Sequence, residues 1–287
     1  MKASELYELA TQYIYGDEEE HSLALDYYRQ AARKGYFLAK WALAEHLYLF
    51  GETDEEWAEA LYWYENIAKK HNYPFAKYKA GYMYYAGIGA EKNEEKGLFW
   101  LDQSAGIGES VLALAQHYER GATEAEKKKG LEILLRAHEQ QLAYLFDEDT
   151  PAELYELTAR FYEQGIGTEA DTEKAVFYYE KAMDEGSAYA ALKLGEYYEE
   201  GVFVQQDLKK AFELYKSVSK ALSEAKYRLA LCYLQGKGAK KDEKTAFELL
   251  GEAAYFGEEA AEKRIKEEAE QGNPLAVSAL EKLNSED

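Results

Sequence analysis

Apolar and polar positions along this chain follow a helical rhythm, in blocks of about a dozen residues separated by short polar loops. In one block Ala225, Leu229, Ala230 and Tyr233 stand at i, i+4, i+5 and i+8, the spacing of a single helix face. Gly236 follows, a residue suited to the left-handed turn that ends a helix. After a polar loop, Asp242 stands where the next helix needs an N-cap, and Asn93, Asp171 and Asp207 hold the same place elsewhere. The second helix carries an Ala with an aromatic pair three and four residues on: Ala24 with Tyr27 and Tyr28, Ala60 with Trp63 and Tyr64, Ala175 with Tyr178 and Tyr179. It often closes on a second glycine, at Gly35, Gly106, Gly186 and Gly257.

This two-helix unit recurs. Glycines that end the first helix lie at Gly16, Gly51, Gly87, Gly121, Gly165, Gly201 and Gly236, with spacings of 35, 36, 34, 44, 36 and 35. A fixed period in this range predicts a solenoid of stacked helix pairs, A then B. Small residues recur at Gly81, Ala115, Ala159, Gly195 and Ala230, with a ring one turn later at Tyr84, Tyr118, Tyr162, Tyr198 and Tyr233. That pairing predicts a ring packed beside a hole in each unit. The interval of 44 implies extra residues near Ala143 to Pro151. From Glu258 to Leu283 the pattern is lost but helical spacing persists, with Asn273 and Pro274 as a helix start, as for a polar cap on a solenoid end.

The motif A-x-x-x-L-G-x-x-Y-x-x-G-x-G followed by D-x-x-K-A-x-x-W/Y-Y-x-K-A-A-x-x-G resembles the Sel1-like repeats, relatives of the tetratricopeptide repeats. The fifth unit carries much of it as Tyr162, Gly165, Gly167, Asp171, Lys174, Ala175, Tyr178, Tyr179, Lys181, Ala182 and Gly186. The third and seventh units match well, the sixth lacks its second loop glycine, and the first, second and fourth are degenerate. The resemblance implies an all-α, right-handed α/α superhelical solenoid of about seven Sel1-like helix pairs over residues 1–257, with C-terminal capping helices over 258–287. It also implies a protein–protein interaction scaffold or adaptor, with A helices lining a concave face.

On that fold, positions six and two before the packing Tyr, and one after it, face the groove. They are Tyr7, Thr11 and Ile14 in the first unit, Trp41, Glu45 and Tyr48 in the second, and Tyr78, Tyr82 and Tyr85 in the third. The fifth unit contributes Glu156, Arg160 and Glu163, and the sixth Leu192, Glu196 and Glu199. The expected groove is aromatic in its N-terminal half and acidic beyond the middle, suited to a protein or peptide with apolar anchors and basic residues.

Composition narrows the picture. Hydrophobic residues make up 47% of the 287, enough for a packed core. The 55 acidic residues against 34 basic give a formal net charge of -21, which repels nucleic acid and anionic membrane. A basic toxin or effector neutralised by an acidic immunity or inhibitor protein is therefore a second functional reading. Cys232 is the single cysteine, so no intrachain disulfide and no cysteine-based metal site is expected, unlike the disulfide-rich secreted members of the family. No signal-peptide pattern opens the chain, and its longest uncharged run, Ala80 to Ala90, is too short to span a bilayer. A cytoplasmic protein is expected. The loops Gly87-Ile88-Gly89, Gly165-Ile166-Gly167 and Gly236-Lys237-Gly238 lack any continuation into a phosphate-binding motif and recur at the repeat period, so they read as structural. The histidines, His21, His46, His71, His117 and His138, form no metal-binding motif. The sequence therefore predicts no enzyme, no cofactor and no metal site.

Overall fold

The structure, a computed structural model, describes residues 1–140 and 150–286. Among these, sixteen α-helices follow one another with no strand. They form pairs: α1 (Ala3–Tyr13) with α2 (Glu18–Arg33), α3 (Phe37–Phe50) with α4 (Asp54–His71), α5 (Pro74–Ala86) with α6 (Glu94–Asp102), and α7 (Gly108–Glu119) followed by α8 (Glu124–Gln140). Then come α9 (Thr150–Gln164) with α10 (Thr172–Asp184), α11 (Ala188–Glu200) with α12 (Leu208–Val218), α13 (Ser223–Gln235) with α14 (Glu243–Tyr255), and α15 (Glu259–Glu270) with α16 (Pro274–Glu286). Helices pack mainly on their neighbours in sequence, as stacked repeats must. The chain divides into two compact units, Met1–Gly121 with Glu132–Asp147 and Ala122–Leu131 with Glu148–Asp287. The expected insertion at 143–151 falls, as far as 149, outside the described residues.

Each of these B helices starts where a short polar side chain satisfies free backbone N–H groups. Asn93 Oδ1 accepts from Lys96 N at 2.9 Å, Asp171 Oδ1 from Lys174 N at 3.0 Å and Asp242 Oδ1 from Thr245 N at 3.1 Å. Asp207 caps two N–H groups, those of Lys209 and Lys210. In the C-terminal pair, Asn273 Oδ1 accepts from Leu275 N at 3.0 Å and Pro274 opens α16, as expected from the sequence.

The glycines behave less uniformly than their spacing suggests. Gly87, Gly165, Gly201 and Gly236 are left-handed. Gly51 is extended at φ -65°, and neither Gly16 nor Gly121 has a positive φ. The degenerate first, second and fourth repeats thus end helix A by other geometries. The second loop glycine has a clearer role, because it lets the loop touch the preceding B helix. A Cβ on Gly89, Gly167 or Gly238 would strike the backbone of that helix, at Trp57, Lys128 or Leu208 respectively. The sixth repeat places Phe203 at that position in the same left-handed conformation, φ 69°, with its ring 5.0 Å from Tyr197.

Packing corrects the ring-beside-hole expectation. Of the five A-helix tyrosines only Tyr162 is buried; Tyr84, Tyr118, Tyr198 and Tyr233 are half-exposed. Among the described residues the fully buried tyrosine rings belong to helix B, at Tyr64, Tyr179 and Tyr215, while helix A buries the ring of Phe161. The hole at Gly195 is filled from helix B: a Cβ there would lie 2.5 Å from Tyr215 Cε1. At Gly81 the corresponding neighbour is Leu101. The A-helix rings instead lie under B-helix lysines. Lys96 Nζ lies 3.7 Å from the Tyr84 ring centre, Lys210 4.0 Å from Tyr198 and Lys174 4.9 Å from Tyr162. The lysine of the D-x-x-K motif thus ties the start of helix B to the end of helix A by a cation–π contact.

Candidate protein-interaction surface

A-helix residues that escape the core must find partners or face solvent, and the two units resolve this differently. In the first unit Tyr7 packs into its own repeat, 5.7 Å from Tyr28 and 5.5 Å from Tyr36. Ile14 is buried and Thr11 exposed. Trp41 is half-buried, edge-on to Tyr64 at 5.7 Å and to Tyr73 at 5.1 Å. Glu45 accepts a 2.6 Å hydrogen bond from the Tyr64 hydroxyl. Tyr85 turns away towards α6 and α7: its Cβ would sit 2.8 Å from a Cβ on Gly97, and its hydroxyl lies 3.1 Å from His117 Nδ1.

Tyr48, Tyr78 and Tyr82 remain, and α3 and α5 bring them together. The Tyr78 and Tyr82 rings are 6.3 Å apart, tilted by 39°. Tyr82 is 38% exposed, a large ring presented to solvent. Lys79 Nζ lies 4.4 Å over the Tyr48 ring, so this aromatic surface already holds one ammonium group. The Tyr48 hydroxyl is pushed above the usual tyrosine range by burial, then by Tyr82 and Glu45. Burial also raises Tyr78, reinforced by Glu109 of α7, Tyr48 and Tyr82. Tyr48 and Tyr78 are therefore neutral hydrogen-bonding groups at physiological pH, set beside two carboxylates, Glu45 and Glu109. Glu109 and Lys79 lay outside the sequence expectation.

In the second unit the carboxylates expected to make an acidic stripe are engaged internally. Glu156 accepts from the Ser187 hydroxyl. Glu163 accepts from Tyr179 at 2.9 Å and Tyr197 at 2.5 Å, with Lys193 Nζ 3.9 Å away. Glu196 is clamped by Arg228 at 2.6 Å and Lys193 at 3.1 Å. Glu199 accepts from Tyr215 at 2.9 Å and faces Lys237 at 3.4 Å and Arg228 at 3.9 Å. Three of these four carboxylates, Glu163, Glu196 and Glu199, meet three cations, Lys193, Arg228 and Lys237, so this part of the stripe is formally balanced and not a bare acidic field. Leu192, placed in the groove by its spacing, is core at 3% exposure. Arg160 is half-buried, and its charge acts on Tyr189 together with those of Lys193, Glu163 and Glu156. Tyr189 is 42% exposed beside this network and was missed, because it sits at the start of α11, outside the periodic positions.

Nothing in the repeat pattern signalled the buried lysines. Lys40, Lys77 and Lys226 are each at most 8% exposed. Each reaches towards the B helix of its own repeat: Lys40 to Asn66 Oδ1 at 2.9 Å, Lys77 to the Gln103 carbonyl at 3.3 Å and Lys226 to Glu252 at 2.8 Å. The stems pack in the core while the ammonium ties the pair together. Cys232 is buried, and burial lifts its thiol to about 11, which makes it a packing residue and not a nucleophile. Between α14 and α16 lies an open cavity of about 370 Å3, floored by Phe247, Leu275, Ala279 and Leu283. No group of three or more His, Cys, Asp or Glu among the described residues is placed to hold a metal ion. Among the same residues, no helix is long and apolar enough to cross a membrane.

These features define an all-α solenoid built of helix-pair repeats. The model of the Sel1 repeat matches residues 6–36, 38–72, 74–107, 154–187, 188–219 and 223–255, so the chain belongs to the Sel1 repeat family. The first and second repeats, degenerate to the eye, are matched, whereas α7 and α8 are not. The chain is 25% identical over 272 residues to chitin synthase regulatory factor 3 of Schizosaccharomyces pombe, covering 90% of this chain and 28% of that protein. It is 28% identical over 204 residues to the chitin synthase regulator SKT5 of Saccharomyces cerevisiae, covering 66% of this chain and 28% of that one. The chain thus spans just over a quarter of the length of these relatives. Among solved structures it resembles c5321, described as a protective antigen of uropathogenic Escherichia coli with an SLR fold, at a TM-score of 0.78 and 23% identity over 99% of this chain and 62% of the other. A Sel1 repeat protein from Oxalobacter formigenes aligns at a TM-score of 0.53 and 22% identity, over 92% and 86% of the two chains.

Proposed function

We propose that this protein is a non-enzymatic interaction scaffold that binds a protein or peptide through the Tyr48–Tyr78–Tyr82 face of its first unit. The observation that carries this reading is the pairing of Tyr78 with the exposed Tyr82 beside Tyr48, with Lys79 already seated on one ring. Tyrosines of this kind offer large rigid area with a polar tip and serve as binding anchors. Two relatives carry the name of regulators of another enzyme, which supports a regulatory scaffold. The partner favoured by this face brings an apolar anchor and a basic side chain, the latter for the ring faces and Glu109.

The test compares wild type with Tyr78→Ala and Tyr82→Ala as baits under identical conditions, followed by affinity and melting measurements on the purified pair. A partner retained by wild type and weakened at least about ten-fold by Tyr82→Ala, at unchanged melting temperature, supports the reading. Lost stability with unchanged affinity overturns it. The second reading, an acidic inhibitor of a basic toxin or effector, draws on the net charge of -21. It requires affinity that falls steeply with salt, whereas the aromatic face predicts a weak salt dependence.

A further inference from the structure

We propose that His21 and His46 form a two-ligand site for a divalent transition ion such as Zn2+ or Ni2+, clipping α2 to α3. His21 stands in α2 and His46 in α3, the B helix of one repeat and the A helix of the next. Their Nε2 atoms face each other at 2.7 Å, with ring centres 4.8 Å apart. One ring must donate and the other accept, so the two nitrogens already share one proton. An ion bound at about 2.0–2.1 Å to each of two nitrogens at the tetrahedral angle of zinc sets them roughly 3.3 Å apart. Exchanging the shared proton for the ion therefore asks the rings to part by about 0.6 Å.

The surroundings favour a cation. Asp17, Glu18, Glu19 and Glu20 stand at the start of α2 just ahead of His21, and the charge of Glu56 acts on His46. The Phe50 ring, 5.0 Å from His46, shields one side. Both imidazoles are partly exposed, so water completes the coordination. Burial and the neighbouring His21 hold His46 below the usual histidine range, against the opposing pull of Glu56. Metal binding takes the neutral form of an imidazole, so the ion competes with protons for both rings. With no third protein ligand among the described residues, the site is exchangeable and not a closed structural zinc centre. An ion that needs both helices in place binds the folded pair and not the unfolded chain, so it stabilises the junction of the first two repeats.

The experiment is calorimetric titration and thermal melting of the full chain, first in chelator and then with ZnCl2 or NiCl2 at about pH 7.5, where neutral imidazole predominates. At about ten times the dissociation constant the melting temperature should rise by roughly 3 °C. His21→Ala and His46→Ala should each lose the shift, as should wild type near pH 5, where imidazole protonation competes with the ion. His46→Gln keeps a hydrogen-bonding group against His21 and is expected to fold like wild type in chelator yet fail to respond to the ion. A shift of equal size in His46→Gln would assign the effect to surface carboxylates and overturn the site. So would no shift in wild type at millimolar ion.

Discussion

The Tyr64 hydroxyl of α4 donates to Glu45 of α3 at 2.6 Å while its ring lies fully buried. Tyr179 with Glu163 and Tyr215 with Glu199, each at 2.9 Å, make the same tie in later repeats. The ring fills the interior of the helix pair, and the hydroxyl surfaces where a helix-A carboxylate can receive it. One B-helix residue thus packs a repeat and satisfies part of its acid.

These ties differ in their reserves. Glu163 keeps Tyr197 and Lys193 if Tyr179 loses its hydroxyl, whereas Tyr64 is the hydrogen-bond donor to Glu45. Tyr64→Phe should therefore cost about 2 kcal/mol and Tyr179→Phe about 1 kcal/mol in chemical denaturation. Tyr179→Ala should cost about 3–5 kcal/mol through the cavity it leaves. Equal effects of the two Phe substitutions would show that the hydroxyls, once the rings are in place, contribute little.

Buried phenols give the protein an alkaline limit. Burial, then Tyr7 and Tyr15, lifts Tyr28 to about 12. Burial also raises Tyr64, Tyr179 and Tyr215, each reinforced by its carboxylate partner. A folded-state value above the unfolded one, near 10, means a contribution that is complete below about pH 10 and is lost as pH rises towards the folded value. Stability should fall between about pH 10 and 12. Absorbance at the phenolate band should show exposed tyrosines titrating first and the buried group appearing together with loss of helix. A single early transition with helix intact would refute this.

Two glycines should respond in opposite directions. Gly238 is left-handed at φ 72°, and a Cβ there meets the backbone at Leu208. Gly238→Ala should cost at least about 2 kcal/mol, from conformation and clash together. Gly251 lies inside α14 with nothing within 4 Å of an added Cβ, so Gly251→Ala should stabilise by about 0.5–1 kcal/mol. Denaturant midpoints of the two variants check both signs.

Arg228 bridges two carboxylates, Glu196 and Glu199, whose side chains are 14% and 17% exposed. Arg228→Gln should cost about 2 kcal/mol, because it leaves two shielded acids with less compensation. Adding Glu196→Gln should recover part of that loss, a coupling readable from a double-mutant cycle. Strict additivity would show that the network is not coupled.

Much of the architecture was legible along the chain. The period, the caps at Asn93, Asp171, Asp207 and Asp242, and the start of α16 at Pro274 are local: each depends on residues a few positions apart. The buried ring was misplaced for a related reason. Tyr198 and Tyr215 recur at the same period, and periodicity cannot tell which of two recurring rings meets the hole at Gly195. Of the side chains expected to line a groove, Tyr48, Tyr78 and Tyr82 lie near one another, but the same rule selected Ile14 and Leu192, which are core, and Tyr85, which turns towards His117.

By itself, the sequence determined the helix pairs, their order and their family, because helix periodicity, N-caps and left-handed glycines act over distances shorter than one repeat. Tertiary structure decided the charge balance and the free surface. Glu163, Glu196 and Glu199 are acids in the sequence, yet Lys193, Arg228 and Lys237 meet them from other helices or turns, and His21 meets His46 across 25 residues. Those pairings depend on where side chains of successive helices come to rest. That is set by packing between repeats, which no spacing within one repeat records.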